Sequence, residues 1–391
     1  MSNMATRYPD SVDPTRTDGR DINREVAELS GEAGSQFISR STDEHTGSIA
    51  KAWNALPEPR RDDPTYYDRP MLQEPVWEWA IPLYYYIGGL TGASLVLSAA
   101  AQLKQAAALD LLIQRGHRIG FIGSLVSGGL LIYDLGKPSR FLNMLRVFRP
   151  TSPMNMGAWI LSGTGASATG ALLLRQRGGL LGNAGGFLGL IAGVFGIGLS
   201  TYTGVLVANS AIPIWQESRK ALPVLFGSSA LASLGCTFDI FCERPEARRI
   251  TNLIGNVGRA AELMASMAME RHASAVPRVG RPFKRGISAL MWRGAAFLTF
   301  ASLVVSTLPN RSRKSRIAAG LLGTAGSLLL RVTVEHLGAV SARDARASFH
   351  QQRAGRGAAE LKKSPQAADD GTDAARLESS LDLLGDQRRL L

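Results

Sequence analysis

The stretch GGLLGNAGGFLGLIAGVFGIGLSTYTGVLVANSAIPIWQ, Gly178 to Gln216, runs for 39 residues without a charged side chain. A helix needs about 20 apolar residues to cross the roughly 30 Å hydrocarbon layer of a bilayer, so this run has more than the length of a crossing. Outward from it, Ala80 to Leu103 and Pro153 to Leu174 are also free of charge. Shorter apolar runs cover Ile119–Tyr133, Ala221–Phe238, Gly294–Asn310 and Ile317–Leu330. Each has Arg, Lys or His at an end, and long basic side chains can snorkel to the headgroups. The pattern predicts spans at about 80–103, 112–134, 154–174, 181–208, 220–241, 287–308 and 315–337.

An eighth candidate, Arg249–Glu270, is less apolar and carries Arg259 and Glu262 three residues apart on one helical face. A charge at the bilayer centre costs about 2.5–3.5 kcal/mol on insertion scales. As a span, this segment has to turn both charges toward protein or water; its rival reading is an amphipathic helix lying on the surface. The expected fold is therefore all-α, a polytopic membrane helix bundle of about eight transmembrane helices.

Mean hydropathy over the 391 residues is near zero because apolar and polar segments cancel. Residues 1–75 and 351–391 are polar and poor in aliphatic side chains, too poor to offset the entropy of ordering. Both are expected to be largely disordered tails around a membrane domain at 76–350. No cleavable signal peptide is recognised at the start, so insertion is expected to begin at the first internal span. The formal net charge of +12 suits flanking Lys and Arg that meet anionic membrane lipid. No basic patch with interleaved aromatics is present of the kind that binds single-stranded nucleic acid. Basic residues lie at nearly every loop, so they do not set the orientation.

Small residues predict close packing: Gly185, Gly189 and Gly193 fall on one helical face, as do Gly120, Ser124 and Gly128. Cys236 and Cys242 form no CxxC pair and cannot supply four thiolates to an iron–sulfur cluster. Of five histidines, His45 and His350 lie in polar segments, while His117 and His336 lie at the edges of apolar runs, where ordinary interfacial solvation is expected rather than haem ligation. If the chain handles electrons, the metal centres belong to partner chains.

The densest chemistry lies between the second and third spans, where Asp134 is followed by Lys137 and Arg140 and the segment continues Phe141-Leu142-Asn143-Met144-Leu145-Arg146-Val147-Phe148-Arg149-Pro150-Thr151-Ser152-Pro153-Met154 to Gly157-Ala158-Trp159. Three prolines, at 138, 150 and 153, each remove a backbone donor and punctuate the loop. Alternating spans bring the Trp-rich entry to span one, this loop and the end of span four, with Tyr202, to one membrane face. An interfacial ion pair is the simplest reading of Asp134 beside two cations. The interleaved aromatic and Met side chains instead make a pocket that is half apolar and half wet.

This segment resembles the hallmark loop of the NrfD/polysulfide-reductase membrane-subunit family. Trp77-Glu78-Trp79 with Gly88 to Ala93, Thr201 to Leu206 with Ile212 to Trp215, Glu262-Leu263, Met269 to Arg271 and Ser341 to Asp344 resemble further parts of it in order, from about residue 75 to 350. The resemblance implies an integral membrane subunit of a respiratory-type oxidoreductase complex in the cell (inner, cytoplasmic) membrane. It would bind a quinone or quinol as substrate, menaquinone or ubiquinone, in a four-helix bundle of the N-terminal half, with no haem or iron–sulfur cluster of its own. Electrons would pass to or from a ferredoxin-like iron–sulfur subunit, itself coupled to a molybdopterin or multihaem cytochrome subunit. Tyr202 matches the family's quinone-contacting tyrosine. The histidine and asparagine that some members place near the quinone are replaced here by the Ile81-to-Tyr86 region, so Tyr84 or Tyr85 is the expected substitute. Trp79, Asp134 and Arg140 complete the expected pocket, and Asp134 and Glu262 are the expected proton carriers. Two other readings stand beside this one: a membrane anchor without its own quinone site, and an ion or solute transporter.

Overall fold

A computed structural model describes residues 72–75, 77, 79–104, 109–135, 138–241, 245–309 and 311–353, together with the two-residue strands Ile22–Asn23 (β1) and Glu28–Leu29 (β2), which pair antiparallel. The polar tails expected over 1–75 and 351–391 lie almost wholly outside the described residues, as do Lys137 and Cys242.

The rest of the described chain is helical. Eight long helices are α1 (Ala80–Leu103), α2 (Asp110–Leu135), α4 (Pro153–Leu174), α5 (Gly179–Ala208), α7 (Ala221–Phe241), α8 (Pro245–Ala273), α10 (Gly286–Thr307) and α11 (Arg313–Arg343). Between them run the short helices α3 (Pro138–Leu145), α6 (Pro213–Glu217) and α9 (Arg281–Lys284), and α12 (Ala345–Arg353) follows. Six of the long helices, α1, α2, α5, α7, α10 and α11, are long and apolar enough to cross a membrane. Helix α4 is uncharged, but Gly, Ser, Thr and Ala dilute its apolarity, and α8 carries charges.

The long helices form two antiparallel rings of four. In the first, α1 packs on α2, α2 on α4, α4 on α5 and α5 back on α1. In the second, α7, α8, α10 and α11 close in the same order, and the rings meet where α1 and α5 touch α7 and α1 touches α11. Glycines set these contacts, since lipid supplies no hydrophobic drive and packing needs close backbones. Gly92 faces Gly196 between α1 and α5, and Gly235 faces Gly255 between α7 and α8; at each, a Cβ would strike backbone. The predicted faces are used in part. Gly120 packs on Leu95, Gly189 on Gln102 and Gly193 on Ala99, whereas Gly128 meets open space.

Helix α8 runs lengthwise beside α7 and α10. Gly258 abuts Leu231 and Ala232, Glu262 meets Thr299, and Glu270 meets Trp292. Arg259 and Glu262 are both buried by these contacts.

Candidate functional site

The loop after α2 is ordered by its own side chains. Ser152 caps α4 by accepting from the Asn155 backbone N–H at 3.4 Å, with Pro153 in the first turn, where a missing donor costs nothing. Asn155 then stitches the loop: its Oδ1 accepts from the Arg149 N–H at 2.7 Å, and its Nδ2 donates to the carbonyls of Val147 (2.8 Å) and Met144. Phe148 closes edge-on against Trp159, ring centres 5.8 Å apart. Two residues beyond Asn155, Gly157 leaves the space that the Tyr202 ring fills; a Cβ there would overlap the phenol. The loop and the tyrosine of the fourth long helix, α5, are thereby one construction.

Tyr202 belongs to a cluster between the two rings that holds Tyr84, Tyr85, Trp77, Trp215 and Phe226. Trp77 stacks on Trp215 (6.0 Å, 19°) and meets the edge of Tyr85 at 6.3 Å. Tyr85 also meets the edge of Phe226 at 5.6 Å, and Tyr84 lies 5.9 Å from Tyr85. Trp215 is fixed by a 2.9 Å bond from its indole N–H to the Val334 carbonyl, in space that Gly338 leaves open. Tyr84 and Tyr85 are each only 1% exposed, and the Tyr85 hydroxyl has no hydrogen-bond partner among the described residues. The Tyr202 hydroxyl approaches that of Tyr84. An unpaired buried polar group costs about 1–3 kcal/mol, a cost that a polar guest at Tyr85 would remove.

Charged groups border the cluster. The carboxyl groups of Asp134, at the end of α2, and Glu335, on α11, are within electrostatic reach of each other and of Tyr85. Arg331, one turn before Glu335, is fully buried; its guanidinium lies 4.1 Å over the Phe226 ring and donates to the Phe226 carbonyl at 3.1 Å. Its field reaches Tyr85 on one side and Glu262 on the other.

From Arg331 a polar seam continues into the second ring. Glu262 is 2% exposed and accepts from Thr299 at 2.7 Å and Ser327 at 2.9 Å. Arg259, fully buried, bonds Asp239 of α7 at 2.8 Å, Asn256 at 2.8 Å and the Cys236 sulfur at 3.3 Å. Asp239 in turn meets Arg311 at 3.6 Å at the far end of the ring. Arg259 and Glu262 thus share a helix face but are not each other's partners; the ion pair joins α8 to α7.

The sequence-predicted residues are brought together unevenly. Tyr84, Tyr85 and Tyr202 meet, with Asp134 at the border and Glu262 further along the seam. Trp79 is 61% exposed and stands at the rim against Tyr133, 5.7 Å away, while Trp77 occupies the inner position. Arg140 lies on α3, and its side chain lies outside the described residues. His117 is 1% exposed, hydrogen-bonded to Gln102 at 3.1 Å, and so is buried rather than interfacial; His336 pairs with Ser288 at 3.0 Å. Sequence reasoning missed Arg331 as part of the site. The available signal was an ionisable residue inside an otherwise apolar run, which is functional by default. Glu335, beside His336 at the edge of an apolar run, carries no comparable signal in the sequence.

The profile of a protein family described as polysulphide reductase, NrfD, matches residues 69–334. That range takes in the loop, the aromatic cluster, Arg331 and most of the seam, and ends one residue before Glu335. No curated protein matches the chain.

Proposed function

The chain belongs to the NrfD family, and as a membrane subunit of a redox complex we propose that it binds a quinone or quinol between its two helix rings and exchanges electrons with a partner iron–sulfur subunit. On this reading all eight long helices cross the inner membrane. The observation that carries it is the meeting of the buried phenols of Tyr84, Tyr85 and Tyr202, the Tyr85 hydroxyl being without a partner among the described residues and within electrostatic reach of the carboxyl groups of Asp134 and Glu335.

The chemistry fits those groups. Oxidation of a quinol gives a quinone, two protons and two electrons. Phenol hydroxyls donate to a quinone carbonyl and accept from a quinol hydroxyl. The carboxyl groups of Asp134 and Glu335 accept the protons, general-base work that requires hydrogen-bond reach in the bound state. Arg331 and Glu262 lead away through the seam and offer a route by which protons leave the site. The electrons pass to the iron–sulfur subunit and on to a molybdopterin or multihaem cytochrome subunit. Docking belongs on the face of the ordered loop, where Trp79 and Tyr133 stand exposed, since electron transfer needs the donor close to the acceptor.

Quinol oxidation in membranes holding the assembled complex tests the reading, with Tyr202→Phe, Asp134→Asn and Glu335→Gln as variants. A loss of turnover with the complex still assembled is expected. Unchanged turnover in all three would sink the site assignment, and failure to bind a quinone analogue would leave only an anchor. Co-purification after detergent extraction separates both from a transporter, which would come out without redox subunits.

A further inference from the structure

The end of the first ring remote from the aromatic cluster holds a cavity of about 680 Å³, between the close of α1, the start of α2 and the connection from α4 to α5. Its walls carry the cations Arg175 and Arg177, the anion Asp110 and the amides of Gln102, Gln114 and Asn183. Arg175 and Asp110 already bond at 3.3 Å, so Arg177 is the charge in excess. Gly179 and Gly186 border it, and a Cβ at either would enter open space. Gly179 also takes a φ of 63°, the left-handed region that favours glycine, as the chain turns into α5.

One side of the cavity opens onto an apolar track. Phe187 and Leu190 line it, and Val194 and Ile197 continue the same face of α5 at spacings of three and four. Phe187, Val194 and Ile197 are 65%, 71% and 58% exposed. Ten residues of helix rise about 15 Å, which is about half the hydrocarbon thickness and hence the depth of one leaflet. A polar chamber with an unbalanced cation, joined to an apolar track one leaflet deep, matches a headgroup with an acyl chain.

We propose that this cavity binds an anionic phospholipid, its phosphate against Arg177 and Arg175 and an acyl chain along Phe187, Leu190, Val194 and Ile197. The charge selects an anionic lipid over a zwitterionic one, and the track selects a lipid over a free anion. This site is separate from the quinone site and does not depend on it.

The test is native mass spectrometry of the full-length chain in detergent, titrated with phosphatidylglycerol or phosphatidylcholine. Phosphatidylglycerol is expected to be retained in preference. Arg177→Gln should weaken it about fivefold, the worth of roughly one interfacial cation. Gly186→Leu should abolish retention by filling the cavity; the new side chain enters open space, so an unchanged unfolding midpoint shows that the fold survives. Asp110→Asn should tighten binding by freeing Arg175. Equal retention of the two lipids, or variants that behave like the parent, overturns the proposal. Displacement of the lipid by inorganic phosphate at equal concentration also overturns it, because the track would then contribute nothing.

Discussion

Removing the Asp239 carboxylate is expected to be among the most damaging single changes in the second ring. Asp239 joins two arginines: Arg259 at 2.8 Å and Arg311 at 3.6 Å, with side chains 0% and 8% exposed. In Asp239→Ala, Arg259 keeps, among the described residues, only the Asn256 amide oxygen and the Cys236 sulfur as acceptors. Breaking a buried pair by deleting one partner costs about 3–5 kcal/mol, because the surviving charge stays desolvated. At about 2 °C per kcal/mol for a large domain, the unfolding midpoint in detergent should fall by roughly 6–10 °C. Replacing both partners, as in Asp239→Leu with Arg259→Met, should cost far less than the sum of the single changes, since the pair's desolvation penalty goes with it. Glu262→Gln should cost less than Asp239→Ala, for an amide oxygen still accepts from Thr299 or Ser327. Equal losses for Glu262→Gln and Asp239→Ala, or strictly additive losses in the double variant, would refute this account of how α8 is held.

Gly157→Ala gains about 1 kcal/mol of helix propensity but drives a methyl into the Tyr202 ring; overpacking of about 1–3 kcal/mol should lower the midpoint, and quinol turnover should fall with it. Trp77→Ala should destabilise by about 3–5 kcal/mol on loss of the Trp215 and Tyr85 contacts, whereas Trp79→Ala, at the exposed rim, should shift the midpoint by about 0.5 kcal/mol or less; paired melts decide between the two tryptophans. Ser152→Ala should cost about 1 kcal/mol at the start of α4, seen in the same melts. The Arg343 guanidinium bonds Glu74 at 2.7 Å and holds its carboxyl below the usual carboxylate range. A depressed folded value stabilises above the unfolded value and is lost as pH falls through the folded one, so the midpoint difference between the parent and Glu74→Gln should shrink below about pH 4.

The helices were legible because run length is a direct physical requirement of a bilayer. The predicted 80–103 coincides with α1, and 154–174 and 181–208 begin within two residues of α4 and α5. Run length understated α11, which continues past 337 to Arg343 with Glu335 and His336 half-buried within it. The convergence of Tyr202 with the loop followed from alternation alone. What did not follow was direction within a face. Residues three apart point the same way round a helix, yet Arg259 reaches toward α7 and Glu262 toward α10 and α11, a choice made by neighbours distant in the chain. Trp77 and Trp79 precede α1, where no helical period says which one turns inward. Glu335 lies 201 positions from Asp134 in the sequence, and only the closure of the rings brings the two carboxyl groups within reach.

On the proposal that α8 crosses the membrane, the hydrogen bonds of Glu262 impose an order on biogenesis. A nascent chain released just after Ala273 would contain α8 but neither Thr299 nor Ser327, so the carboxylate would have no acceptable surroundings in lipid. Helix α7 can receive α8 as a hairpin through the Gly235–Gly255 contact and shield Arg259 at once, whereas Glu262 must wait until α10 and α11 have been synthesised. Translation products ending between 273 and 299 should therefore be retained by the insertion machinery or degraded, and those extending beyond α11 should be released.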